Sequence, residues 1–191
     1  MSLLNPVERS KYTDIVLAQL RDVPDFPAPG ILFRDISPVL QSPEGLRAVA
    51  ALMFDTVWAV TSSEVHDLDL VAGVESRGFI LGSVLARDLG CGFTMIRKPG
   101  KLPCPTVSER YGKEYGRDVV HMHTDGVQPG QRVVLVDDLI ATGGSLLAAA
   151  RLIRRLGGEI VTCLCLIELK ELGGRAKLEA EGLRVDSIVR F

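Results

Sequence analysis

Four consecutive apolar residues, Val133-Val134-Leu135-Val136, run into two acids, Asp137 and Asp138, and then into Leu139-Ile140-Ala141-Thr142-Gly143-Gly144-Ser145. An unbroken apolar run suits a parallel strand covered on both faces, whereas a half-exposed strand would alternate. Such a strand needs helices on either side of its sheet, so this stretch points to an α/β architecture. A helical period resumes over Leu146 to Leu156. Between strand and helix, small residues offer free backbone N–H groups beside the positive end of a helix, which suits a phosphate. Asp137 and Asp138 stand where the strand ends. Desolvating unpaired carboxylates is expensive, so a polar partner is expected to meet them. The plainer reading is an ordinary crossover with a glycine-rich turn. Neither Gly-x-x-x-x-Gly-Lys-Ser/Thr nor a Gly-x-Gly-x-x-Gly after a strand is present.

The same order of strand, polar turn and helix occurs earlier. Leu68 to Val74 reads as a strand, Glu75-Ser76-Arg77-Gly78 follows at once, and a helix from Phe79 to Leu89 stops at Gly90. Ligands of open α/β sheets sit outside the carboxyl ends of the strands, so the two turns belong together. Gly92 to Lys98 is a further strand, ending in Arg97-Lys98-Pro99-Gly100-Lys101. A solvated basic turn would look the same, but with Arg77 these cations supply a field suited to a polyphosphate. The field has to be local, because the formal net charge of the whole chain is -2. That charge argues against nucleic acid as a partner.

Elsewhere the pattern is that of a single domain. Asn5-Pro6 caps an amphipathic helix carrying Tyr12, Ile15, Val16 and Leu20, and Val23 to Gly30 is a stiff, proline-rich connection. Phe33 and Arg34 stand side by side in the apolar segment Ile31 to Leu40, and Ser42-Pro43 opens a second helix. Pro103 to Arg117 shows no period and is expected to be a structureless loop, either a lid or an insertion. Val119 to Thr124 reads as a strand with His121 and His123 on one face, a weak metal signature without an evident third ligand. A strand over Glu159 to Leu169, a short polar helix over Leu172 to Leu183 and a last strand over Val185 to Val189 complete the chain. At 191 residues and 47% hydrophobic, it can bury one sizeable core. Neither a leader segment nor an apolar run of membrane-spanning length is evident, so no membrane partner and a cytoplasmic location are expected. Cys91, Cys104, Cys163 and Cys165 form no Cys-x-x-Cys pair and read as reduced thiols.

The residues Asp137, Asp138, Ala141, Thr142, Gly143, Gly144 and Ser145 resemble the signature with which type I phosphoribosyltransferases bind phosphoribosyl pyrophosphate (PRPP). By that resemblance the acids hold the ribose hydroxyls and the loop grips the 5'-phosphate. The segment Phe26 to Leu40 resembles the base-binding hood of the adenine phosphoribosyltransferases, implying that Leu32, Phe33 and Arg34 meet adenine, with the Phe33 and Arg34 side chains packing on its ring. Glu75-Ser76-Arg77 is similar to that family's pyrophosphate loop, with a costly non-proline cis bond worth seeking at Glu75-Ser76. Arg97, Lys98 and Lys101 would join it on the leaving group. Glu114-Tyr115-Gly116 resembles the family's catalytic triplet, which makes Glu114 the catalytic residue and Tyr115 part of a lid over 99–117.

The resemblance implies transfer of the phosphoribosyl group of PRPP to adenine, giving AMP and pyrophosphate in purine salvage. It also implies Mg2+ held mainly by PRPP and water, and a homodimer. The expected fold is one type I phosphoribosyltransferase-like domain over residues 1–191. It comprises a mostly parallel sheet flanked by helices, an N-terminal helix and hood over 1–40, and the flexible lid. Two other readings remain open at this point: transfer to another purine base, and a non-catalytic PRPP-sensing regulator on the same fold.

Overall fold

The computed structural model describes residues 3–61, 67–113 and 116–191, with 113, 116 and 117 described by their backbone alone. The first helix, α1 (Pro6–Gln19), begins as expected. The Asn5 side chain accepts the Val7 and Glu8 N–H groups, and the Glu8 carboxylate accepts the Asn5 N–H. Strands β1 (Arg21–Pro24) and β2 (Leu32–Asp35) then pair antiparallel into a small hood. Helices α2 (Ser37–Gln41) and α3 (Pro43–Val60) return the chain to the body.

The central sheet is fully parallel. Its strands are β3 (Leu70–Val74), β4 (Gly92–Ile96), β7 (Arg132–Ile140), β8 (Glu159–Glu168) and β9 (Val185–Arg190), in the order β4-β3-β7-β8-β9. Helix α4 (Arg77–Leu89) joins β3 to β4 on one side of the sheet's centre, and α5 (Gly144–Arg155) joins β7 to β8 on the other. The apolar run Val133 to Val136 shows why both faces are covered. Val134 and Val136 enter the core beneath α3 and α4, whereas Val133 and Leu135 enter the core beneath α5. Strand alternation thus feeds two separate cores, and no position is left over for a polar residue. Cys163 and Cys165 share the α5 side, and burial pushes the Cys163 thiol up to about 12. Among the described residues no helix is long and apolar enough to cross a membrane.

Three expectations are corrected. β7 does not end before its acids: it continues through Asp137 and Asp138 to Ile140, because Leu139 and Ile140 still pair with Ile167 and Glu168 of β8. The stretch expected to be structureless instead contains β5 (Thr106–Lys113), antiparallel to β6 (Gly116–His123). Its alternate residues face α5. Val107 and Tyr111 pack on that core, and Glu109 between them pairs with Arg155 at 2.5 Å and Arg151 at 3.7 Å. A charged residue at an inward position hides the period of two in the sequence. The helix expected over Leu172 to Leu183 is instead a 3-10 turn (Lys170–Leu172) and a short α6 (Gly174–Glu179), divided by Gly173 at φ 65°.

Candidate active site

The crossover through α4 leaves β3 in one direction, and the crossover through α5 leaves β7 in the other, so the carboxyl ends of β3 and β7 flank a crevice where the topology switches. A cleft of about 460 Å³ lies there. It brings together Glu75, Ser76, Arg77, Arg97, Lys98, Asp137, Asp138 and the loop Ala141 to Ser145. Residues predicted from three separate stretches of sequence therefore line one cavity.

The polar partner demanded by the two acids is Arg77. Its Nε donates to Asp138 Oδ2 at 2.5 Å. The approach depends on Gly78, where a Cβ would lie 2.8 Å from the Val136 carbonyl oxygen and 3.3 Å from Asp137 Cα. Only glycine lets the first turn of α4 come this close to β7. Asp137 lines the same cleft and is only 7% exposed. Burial, reinforced by the neighbouring Asp138, pushes its carboxyl well above the usual carboxylate range, while its Oδ1 accepts the Asp138 N–H at 2.9 Å.

Beyond the acids, Gly143 takes φ 72° and caps α5, with no side chain to satisfy the first-turn N–H groups. Those donors stand at the positive end of a helix of 12 residues. Thr142 is exposed and Ser145 half-buried beside them. Across the cleft, Glu75 accepts from Arg97 Nε at 3.2 Å, from Arg97 Nη2 at 3.3 Å and from the Lys98 N–H at 2.9 Å. Burial works to raise this carboxyl, but the Lys98 N–H and the Arg97 guanidinium outweigh it and hold Glu75 below its usual range. An ionised carboxylate repels a phosphate, so Glu75 acts by fixing the cations rather than by contacting an anion. The Glu75-Ser76 peptide is cis, as the sequence reading anticipated.

The remaining predicted residues fall outside this lining. Lys101 is exposed, and its carbonyl accepts from Arg97 Nη1 at 3.1 Å. In the hood, Phe33 meets Phe26 edge-on at 5.1 Å, and the Arg77 guanidinium carbon lies 5.5 Å from the Phe33 centroid. The hood thus adjoins the cleft through Arg77. Arg34, the next residue along β2, leaves the opposite face, sits 4.0 Å over the Phe191 ring and pairs with Asp22. Its side chain is therefore engaged away from Phe33, which corrects the expectation that both pack on one base. Leu32 is 45% exposed. Glu114 and Tyr115 lie outside the described residues.

The sequence reading missed Tyr111 and Asp118, which both line the cleft. The Tyr111 ring would lie 3.3 Å from a Cβ on Gly144, and its hydroxyl donates to Asp118 at 3.4 Å. Burial, then the charge of Asp118, pushes its phenol up to about 12. The only available signal was the alternation of Val107, Glu109 and Tyr111.

The model of the family described as phosphoribosyl transferase domain matches residues 36–189. A relative from Bordetella parapertussis, named adenine phosphoribosyltransferase, is 48% identical over 183 residues, covering 96% of this chain and 93% of its own. One of the same name from Chelativorans sp. is 51% identical over 184 residues, covering 96% and 98%. Among solved structures, adenine phosphoribosyltransferase from Rhodothermus marinus superposes with a TM-score of 0.85 at 44% identity, covering 95% of this chain and 99% of its own. The Saccharomyces cerevisiae enzyme, complexed with adenine and an imino-altritol bisphosphate, gives 0.88 at 36% identity, covering 94% and 99%.

Proposed function

The chain belongs to the phosphoribosyl transferase domain family and, within it, to the adenine phosphoribosyltransferases; from that premise we propose how its cleft transfers the phosphoribosyl group of PRPP to adenine. The observation that carries the assignment of roles is the convergence of Arg77 after β3, the basic turn after β4 and a donor-rich loop after β7 on one crevice. PRPP has two phosphate ends of unlike fate. The 5'-phosphate stays, held by the loop between Ala141 and Ser145, whose free N–H groups lie at the start of α5. Thr142 and Ser145 add hydroxyl donors. Pyrophosphate leaves, and Arg77, Arg97 and Lys98 neutralise the charge it gains as the bond to C1 breaks and carries its electron pair away. Asp137 and Asp138 hold the ribose hydroxyls between the two ends.

Adenine attacks C1 through N9 and loses the N9 proton, giving AMP. The hood supplies a flat apolar surface in Phe33, and the backbone of Leu32 and Arg34 offers donors and acceptors to the base edge. Glu114 is the catalytic residue carried over by the family's triplet, and Tyr115 covers the site. Tyr111, on β5, also lines the cleft.

The donor set fits Mg2+ that arrives with its substrate. Asp137 and Asp138 are oxygen ligands of the right hardness, but Asp138 already meets Arg77, and the described residues include no cluster of three or more metal-binding side chains. PRPP oxygens and water would supply most of the coordination, with the two acids facing it, and the ion would offset charge on the departing pyrophosphate. A cytoplasmic setting is supported by four free cysteines, one of them exposed. A homodimer is supported by the edge strand β4 and by exposed Met95 and Ile80.

Pyrophosphate release from PRPP tests the reading with adenine, hypoxanthine, guanine and xanthine, run beside Glu114→Ala. Adenine alone is expected to support turnover, and the substitution to reduce it by about 10²–10⁴-fold. Turnover with hypoxanthine instead would move the specificity, and no turnover with any base would favour a regulator.

A further inference from the structure

A charged cluster next to the phosphate loop takes no part in lining the cleft. Glu168, the last residue of β8, is 3% exposed. Its carboxylate receives a two-pronged fork from Arg175, Nε to Oε1 at 2.8 Å and Nη2 to Oε2 at 2.6 Å. Ser187 Oγ donates to it at 2.5 Å, and Arg190 Nε lies 3.2 Å away. Arg175 also donates to the Val185 carbonyl and, at 3.3 Å, to Glu179. The hydrogen bonds from Arg175 overcome the opposing effect of burial and bring the Glu168 carboxyl down to about 2, so it stays ionised.

Both partners are one step from the phosphate loop. Glu168 pairs in register with Ile140, and the Leu169 N–H donates to the Ile140 carbonyl at 2.9 Å, immediately before Ala141. Arg175 follows Gly174, whose backbone lies flat against the loop. A Cβ there would lie 2.2 Å from the Ala141 carbonyl oxygen and 2.9 Å from the Gly143 nitrogen. Conversely, a Cβ on Gly143 would lie 2.9 Å from the Gly174 carbonyl oxygen. α6 has six residues and cannot hold this position by its own helical stability.

We propose that Glu168 and Arg175 are positioning residues for the 5'-phosphate loop: their fork ties the start of α6 to the end of β8, and Gly174 thereby braces Ala141 to Gly143 in the geometry that binds phosphate. The pair touches no substrate. It rests on the assignment of the loop to the 5'-phosphate, and it predicts a selective effect on that subsite.

The test is steady-state kinetics of Arg175→Lys, which keeps the charge and loses the fork, and of Gly174→Ala, which keeps the pair and wedges the loop. In both, the KM for PRPP is expected to rise about tenfold, with the KM for adenine and kcat within about twofold of the parent. Inhibition by ribose 5-phosphate weakens in parallel, while inhibition by pyrophosphate is unchanged. PRPP and ribose 5-phosphate constants within about twofold of the parent in both variants would overturn the brace, as would equal losses for adenine, PRPP and pyrophosphate. If Arg175→Lys does not fold, Glu168→Gln, which keeps the shape and removes the charge that the fork grips, takes its place with the same expected outcome. If the parent lacks turnover with adenine, the functional reading fails separately, and calorimetric binding of ribose 5-phosphate to parent and variants still decides the brace.

Discussion

The turns that follow β3 and β7 occupy equivalent places in two strand–helix units, yet they present positive charge by opposite means. After β3 the positive charge is carried by side chains: Arg77 at the start of α4, with Arg97 and Lys98 held by Glu75. After β7 the donors are backbone N–H groups at the start of α5, presented by a loop of small residues. Side-chain cations adjust as charge grows on a departing group, and backbone donors are rigid and suit a group that stays put. On the proposed assignment, the difference in chemistry follows the difference in fate of the two phosphate ends.

The largest effect should come from the β3 side. Arg77→Ala removes a cation from the leaving group and leaves Asp138 without its guanidinium, so kcat should fall by about 10²–10³-fold in single-turnover measurements. A loss confined to KM would break the distinction drawn between the two turns. On the β7 side, Gly143→Ala places a side chain at φ 72° and against Gly174. The left-handed conformation costs about 1–2 kcal/mol for such a residue, so the KM for PRPP should rise about tenfold with a smaller change in kcat.

A third contrast concerns protons. Because the folded Asp137 carboxyl titrates well above its unfolded value near 3.8, the native state keeps a proton that the unfolded chain releases. Stability attributable to this group therefore falls as pH rises from that value through the folded pKa. Asp137→Asn should remove the loss, raising the melting temperature at pH 7 by on the order of 2–4 °C while lowering activity, with no gain near pH 3. An equal gain at both pH values would mean that the carboxyl's ionisation is not the cause. The smallest effect is expected from Glu75→Gln. Arg97 would lose its ionic anchor but remain in place through the Lys101 carbonyl, and the KM for PRPP should rise by about two- to fivefold. A loss as large as that of Arg77→Ala would make Glu75 more than an anchor.

Much of this cleft was legible because its parts are local in sequence. Asp137 to Ser145 and Glu75 to Arg77 are each continuous, and their strand–turn–helix setting announces a ligand at a strand's carboxyl end. Less could be read where meaning depends on direction. Phe33 and Arg34 are neighbours in the chain, but a strand sends them to opposite faces, toward Arg77 and Phe191 respectively. The β5 and β6 hairpin was hidden because Glu109 sits at an inward position where an apolar residue was sought, and its partners Arg151 and Arg155 are more than forty residues away.

By itself, the sequence determined the α/β class, the strand–turn–helix units around the cleft, and the glycine-rich loop with the acids before it, since each depends on periodicity or on short-range backbone chemistry. Only the tertiary structure decided that Arg77 meets Asp138, that Tyr111 and Asp118 join the cleft, and that Gly174 and Arg175 stand behind the phosphate loop. Those pairings join residues far apart in the chain, and they arise only when parallel strands bring their carboxyl ends to the same edge of one sheet.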